Sequence, residues 1–134
     1  MEMNYLLDTT ILIDMARGND FVSRSIKSKL PLSQATPFIT LLTYAEYYYG
    51  FVSGAPEEKG RCVSFLQSFD RLSLTEGSAA IFAELSYKYK KSGIAFSTMD
   101  MLNAAIAIEE NMTLVTSDRF FEKINELKKI ILAK

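Results

Sequence analysis

The stretch Asp100-Met-Leu-Asn-Ala-Ala-Ile-Ala-Ile-Glu-Glu-Asn-Met-Thr-Leu-Val-Thr-Ser-Asp118 decides the fold. It reads as a helix, a short turn and a buried strand, Thr113 to Thr116, with a carboxylate at each end. Ser97 or Thr98 is the expected cap of the helix, whose end is expected near Asn111. An acid at a helix start and another just past a strand end are well placed to face one cleft.

The alternation continues on both sides. Asn4 to Leu7 is a strand candidate ending at Asp8-Thr9-Thr10, and Ile11 to Arg17 turns helical until Gly18-Asn19-Asp20 breaks it. Asp20 caps a second helix to about Lys29, Pro31 to Pro37 is a loop, and Phe38 to Thr40 is a second strand. A helix from Thr40 or Thr43 to about Phe51 ends before Gly54-Ala55-Pro56. Pro56 opens the next, to about Phe69, with Glu57 and Glu58 in its favourable first turn. Arg71 to Leu74 is a third strand, and Thr75 caps a helix from Glu76 to Lys91 that Gly93 stops. Beyond Asp118 come a short helix to about Lys123 and a fifth strand, Lys129 to Leu132. Short strands alternating with helices indicate an α/β domain with a mainly parallel sheet.

The 134 residues fit one domain, residues 1–134, without repeat, low-complexity run or linker, and can bury a core. A hydrophobic fraction of 49% argues against disorder. No apolar run reaches the roughly 18 residues of a membrane span. The first residues lack a basic segment followed by an apolar one, so no signal peptide is expected. One cysteine, Cys62, excludes an intrachain disulfide, and the cytoplasm is the expected compartment.

Absences narrow the chemistry. Without histidine there is no Ser-His-Asp triad, no histidine base and no zinc site with His ligands; one cysteine cannot build a thiolate site. Neither Gly-x-x-x-x-Gly-Lys nor Gly-x-Gly-x-x-Gly occurs. The remaining strong groups are carboxylates, which favour hard cations such as Mg²⁺ or Mn²⁺. The net charge of −1 does not advertise nucleic-acid binding, although an acid cluster filled by metal is less negative than its count.

In a parallel α/β sheet the functional crevice lies outside the carboxyl ends of the strands. Asp8 follows strand one, Asp118 follows strand four, Glu46 lies in the helix after strand two, and Asp100 lies in the first turn of the helix leading to strand four. Each also has a capping role open to it. Asp8 and Asp118 suit N-caps, and Glu46 and Asp100 stand three residues after Thr43 and Ser97, as in a capping box. Four carboxylates at one edge repel one another unless a cation neutralises them, and caps alone need only Ser or Asn.

The segments that carry these acids resemble the motifs of the PIN-domain ribonucleases, most closely the VapC toxins of prokaryotic toxin–antitoxin pairs. Leu-Leu-Asp-Thr-Thr-Ile-Leu-Ile-Asp resembles the first motif with Asp8, and Leu-Leu-Thr-Tyr-Ala-Glu-Tyr-Tyr-Tyr-Gly the second with Glu46. Met-Asp-Met-Leu-Asn-Ala-Ala-Ile-Ala resembles the third with Asp100, and Leu-Val-Thr-Ser-Asp-Arg-Phe-Phe the fourth with Thr116 and Asp118. The match spans nearly the whole chain in order. Two departures stand out: Ser97 where many relatives carry a further acid, and Thr10 where Asn or Ser is common. The first loosens the expected hold on a second metal; the second keeps a hydroxyl able to orient the neighbouring acid.

The resemblance implies a three-layer α/β/α sandwich with strand order 3-2-1-4-5 and Mg²⁺- or Mn²⁺-dependent hydrolysis of RNA phosphodiesters. It implies Asp8, Glu46 and Asp100 as main ligands, with Asp118 at a second metal or its water. Thr9, Thr116 and Asn103 become candidates for orienting them; Asn103, one turn from Asp100, equally suits a surface amide. Arg119 is placed for a phosphate contact. Ser86-Tyr-Lys-Tyr-Lys-Lys-Ser92 suits RNA, but suits an ordinary helix end with lysine in its last turn better. Asp14 reads as a surface or salt-bridging residue, and some of Tyr47, Tyr48, Tyr49 and Phe51 are expected at a homodimer or antitoxin surface. The implied partners are RNA, a small VapB-like antitoxin and a second copy of the chain. A partner-binding module with little nuclease activity is the competing reading, and a metal-dependent phosphatase a third.

Overall fold

A computed structural model describes residues 4–18, 20–29 and 37–132. Its five strands are β1 (Tyr5–Leu7), β2 (Pro37–Thr40), β3 (Asp70–Leu72), β4 (Thr113–Thr116) and β5 (Lys129–Ile131). They form one sheet in the order β3-β2-β1-β4-β5, with every neighbouring pair parallel. The helices are α1 (Thr9–Ala16), α2 (Asp20–Lys29), α3 (Leu41–Tyr49), α4 (Pro56–Gln67), α5 (Glu76–Lys91) and α6 (Thr98–Glu109), and a 3₁₀ turn spans Arg119–Lys123.

Strand side chains alternate between faces, and this splits the core into two layers. Tyr5 and Leu7 of β1, with Ile39 and Val115, pack with Ile11, Leu12, Val22, Tyr47, Cys62 and Leu66 from α1 to α4. Leu6 and Leu114 point the other way, onto Leu85, Met101, Ala104 and Ala107 of α5 and α6 and Phe121 of the 3₁₀ turn. The chain is thus a three-layer α/β/α sandwich, with helices on both faces of the sheet. The central strands carry apolar side chains on both faces, as a sheet covered on both sides requires.

The chain builds outward from β1 to β2 and β3, then crosses back to β4 on the other side of β1. Strand order therefore reverses between β1 and β4, and their carboxyl ends frame the crevice of such a sheet. Local chemistry sets the ends of the elements around it. Asn111 adopts φ 55° just past α6, while Asn111 N–H and Met112 N–H bond the Ile108 and Ala107 carbonyls. This left-handed stop lets α6 turn at once into β4.

Several boundaries differ from the sequence reading. Helix α1 begins at Thr9, because Asp8 caps it directly. Strand β3 is Asp70–Leu72; Ser73 and Leu74 leave the sheet, with Leu74 exposed. Of the two candidate caps for α3, Thr40 is used, its hydroxyl accepting from Thr43 N–H at 3.1 Å. Pro37 opens β2, and the remainder of the expected Pro31–Pro37 loop lies outside the described residues.

Candidate metal centre

Asp8 leaves β1 at the reversal point, and its N–H bonds the Val115 carbonyl of β4 at 3.2 Å. Its carboxylate is buried and held on both oxygens. Oδ1 accepts from Thr10 Oγ1 at 2.5 Å and from Ile11 N–H at 3.3 Å, while Oδ2 accepts from Thr116 Oγ1 at 2.5 Å. Both hydroxyls are themselves fixed. Thr10 Oγ1 accepts from Ser117 N–H, and Thr116 Oγ1 from Asp118 N–H, each at 3.0 Å. A chain of bonds thus runs from Asp8 through Thr116 to the backbone of Asp118. Asp8 caps α1 through Oδ1, and it stands just past β1, where the crevice of such a sheet opens.

Glu46 reaches the crevice from α3. Its carboxylate is exposed and accepts from Thr9 Oγ1 at 2.8 Å. Because α3 is capped by Thr40, Glu46 has no capping-box partner in Thr43. Asn103 fixes this helix against α6. It is buried, 3% exposed, and its Oδ1 accepts from Thr40 Oγ1 at 2.5 Å while its Nδ2 donates to Thr43 Oγ1 at 3.4 Å. Asn103 is therefore no surface amide. It ties the start of the helix that carries Glu46 to the helix that carries Asp100.

Asp100 stands in the first turn of α6, its N–H bonded to the capping Ser97 hydroxyl at 3.1 Å. Asp118 caps the 3₁₀ turn through Oδ1, which accepts from Phe120 N–H at 2.9 Å. Electrostatics couple the four acids. Burial first, with the charge of Asp100 added, lifts the Asp8 pKa to about 6 against the hydrogen bonds of Thr10, Thr116 and Ile11. The Asp100 pKa is also raised, first by burial and then by the charges of Asp118 and Glu46, against the Ser97 hydroxyl. Crowded carboxylates that resist ionisation are the condition a cation relieves.

Among the described residues no three acids stand as a ready-made metal cage. The donor chemistry nevertheless fits a hard cation: all the donors are oxygen, and Mg²⁺ uses one or two carboxylates directly while keeping several waters. Beside Glu46 a groove of about 340 Å³ opens between α1 and α3, lined by Thr9, Ile13, Arg17, Tyr47 and Phe51 among others. It adjoins a second groove reaching Cys62, Arg61 and Phe65 on α4.

The other expected residues fall as follows. Arg119 is exposed, 3.4 Å from Glu122. Asp14 is half-buried and accepts from Ser117 Oγ at 2.9 Å, joining α1 to the exit of β4. Tyr47 is buried and Tyr49 is 81% exposed. Sequence reasoning had no signal for Ser117, and it read Thr40 and Thr43 only as alternative caps.

The PIN domain family model matches residues 5–127. Among solved structures, the chain is 26% identical to one in VapBC2 from Rickettsia felis bound to a DNA fragment from the promoter. The match covers 96% of this chain and 98% of that one, with a TM-score of 0.84. It is likewise 26% identical to a chain of VapBC-1 from nontypeable Haemophilus influenzae, over 98% and 100% of the two chains, at a TM-score of 0.83. FitAcB from Neisseria gonorrhoeae shares the fold at 24% identity and a TM-score of 0.80, over 96% and 97%. No curated protein sequence matches it.

Proposed function

We propose, from the premise that this chain belongs to the PIN-domain family, that it is a divalent-metal-dependent endoribonuclease toxin held in check by an antitoxin. The observation that carries the reading is the coupling of four carboxylates from β1, α3, α6 and β4 around one crevice, with burial and mutual charge raising Asp8 and Asp100. Asp8, Glu46 and Asp100 would hold Mg²⁺ or Mn²⁺, and Asp118 would serve a second ion or the water beside it. When bound, the cation supplies hydroxide at neutral pH without a histidine base and offsets charge developing on the phosphoryl oxygens.

The chain's own residues orient and hold. Thr10 and Thr116 fix both oxygens of Asp8 and so set the orientation of its carboxylate. Thr9 does the same for Glu46. Asn103 sets the separation of the Glu46 and Asp100 helices through the Thr40 cap. Such support is what keeps ligands at productive geometry.

The neighbouring structures are VapBC complexes, which supports an antitoxin partner for this chain too. The apolar groove between α1 and α3, with Glu46 at its mouth, suits a peptide that brings a basic side chain to the acids. The outer side of α3 and the turn after it, with half-buried Tyr44 and Tyr48 and exposed Tyr49 and Val52, suits a second copy of the chain. Among the described residues no helix is long and apolar enough to cross a membrane.

Asp100→Asn tests the reading. It should abolish cleavage of RNA in Mn²⁺ while leaving the circular dichroism spectrum unchanged. Cleavage that survives the substitution, or that persists in excess EDTA, overturns the mechanism. Mn²⁺ binding by calorimetry with no turnover on any RNA would instead favour a partner-binding module.

A further inference from the structure

Helices α5 and α6 run antiparallel: Gly77 near the start of α5 lies against the Glu109 carboxylate at the end of α6. The last turn of α5 therefore emerges at the same end of the sandwich as Ser97 and Asp100. That turn carries Lys88, Lys90 and Lys91, whereas α1, α3, α4 and α6 carry no basic residue in theirs.

These lysines are not needed to finish the helix. Gly93, at φ 82°, closes it: Gly93 N–H bonds the Lys90 carbonyl at 3.0 Å and Ile94 N–H the Tyr89 carbonyl at 2.9 Å. The ammonium groups go elsewhere. Lys88 pairs with Glu126, and Lys91 Nζ sits 5.8 Å from the centre of the exposed Tyr87 ring. Lys90 is exposed and joins no ion pair among the described residues.

A row of rings connects this turn to the acids. Tyr89 packs edge-on against Phe96 at 5.5 Å, and Phe96 against Phe120 at 4.8 Å. Phe120 N–H holds the Asp118 carboxylate, and Lys123 Nζ lies 4.5 Å above the Phe120 ring. Tyr89 is buried and bonds Glu126, so the row reaches the surface at the half-buried Phe96 and Phe120, beside Lys123.

We propose that this rim is the track that holds single-stranded RNA beside the acid crevice, with Lys90, Lys91 and Lys123 on phosphates and Tyr87 offered to a base. The proposal rests on the endoribonuclease reading and adds the surface that grips the strand. Charge complementarity argues for RNA. The acids of the crevice repel a polyanion, so a net-acidic chain that cuts RNA needs cations grouped at the crevice's edge. Lysines interleaved with aromatics bind single strands through phosphates and base stacking together.

The test measures binding of a short fluorescein-labelled oligouridine by anisotropy over a range of salt, in the Asp100→Asn background so that the strand stays intact. Each phosphate contact on a single strand contributes roughly 0.7 to the slope of log K against log salt. The triple variant K90Q/K91Q/K123Q should lower that slope by about 2 and weaken binding roughly 10- to 100-fold near 0.1 M salt. Lys128→Gln, at the opposite end of α6 where Lys128 bonds Asn111, should leave both unchanged. An unchanged slope in the triple variant, when the unsubstituted chain cuts RNA, overturns the track and leaves the nuclease reading standing. A chain that neither binds nor cuts RNA overturns both. Polyglutamate binding as tightly as the oligouridine, with the same loss in the triple variant, assigns the rim to an acidic protein and overturns the RNA track.

Discussion

Asp8→Asn should make the metal-free protein more stable at neutral pH while ending its response to metal. Burial lifts the folded-state pKa of Asp8 from 3.8 to about 6. Between those values the folded chain binds the proton more tightly than the unfolded one. The stability linked to Asp8 is therefore full below the unfolded pKa and is lost as pH rises through the folded pKa. At about 1.36 kcal/mol per unit, the loss by pH 7 is at most about 3 kcal/mol. Asparagine keeps the cap on Ile11 N–H but gives up a charge-assisted bond, a loss of about 1 kcal/mol, so a net gain of about 1–2 kcal/mol is expected. With an unfolding entropy of roughly 2.1 cal/mol/K per residue over 134 residues, that is about 4–7 °C in Tm. Thermal unfolding followed by circular dichroism in EDTA, from about pH 4 to pH 7, reads it directly. The unsubstituted chain should lose stability across this window and Asp8→Asn should lose much less, although Asp100, raised in the same direction, keeps its own share. Added Mn²⁺ should raise Tm only in the unsubstituted chain. Parallel pH profiles for the two chains, or a less stable Asp8→Asn at pH 7, would refute the claim that Asp8 is a strained, buried carboxylate awaiting a cation.

Asn103→Ala leaves Thr40 without its partner on α6 and should cost about 2–3 kcal/mol, read as a drop of roughly 7–10 °C in Tm. In a double-mutant cycle with Thr40→Val the two should couple by about 0.5–2 kcal/mol; strict additivity would show that they do not act as one lock. If the outer face of α3 joins two copies of the chain, Y49S/V52S should sediment as a monomer where the unsubstituted protein sediments as a dimer. An unchanged sedimentation coefficient would move the interface elsewhere.

Much of the architecture is legible in order and period alone. Three- and four-residue apolar strands separated by capped helices admit few arrangements other than a parallel sheet covered on both sides. Once the sheet is parallel, residues just past a strand must lie at its carboxyl edge. Asp8 and Asp118 could thus be placed together from the chain order, and Asp100 from the first turn of α6. The cap at Thr75, the pair Ser97 or Thr98 of which Ser97 is used, and the helix start at Pro56 were equally readable, because each acts within its own first turn.

The support behind the acids was legible only as candidates, Thr9, Thr10, Thr116 and Asn103; which atom each one meets depends largely on contacts distant in sequence. Thr116 and Asp8 are 108 residues apart, and Thr40 and Asn103 are 63 apart. Whether those side chains meet depends on the register of β4 beside β1 and on the height of α6 against α3, which the two core layers set by packing. The same holds for Tyr47 and Tyr49, two residues apart in one helix. Nothing local tells them apart, yet one is buried against Phe51 and Phe65 and the other is exposed. Local chemistry chose the elements and the edge at which the acids stand. Long-range packing chose which hydroxyls and amides hold them there, because a side-chain hydrogen bond tolerates only tenths of an ångström of misplacement, and only a filled core keeps distant segments to that tolerance.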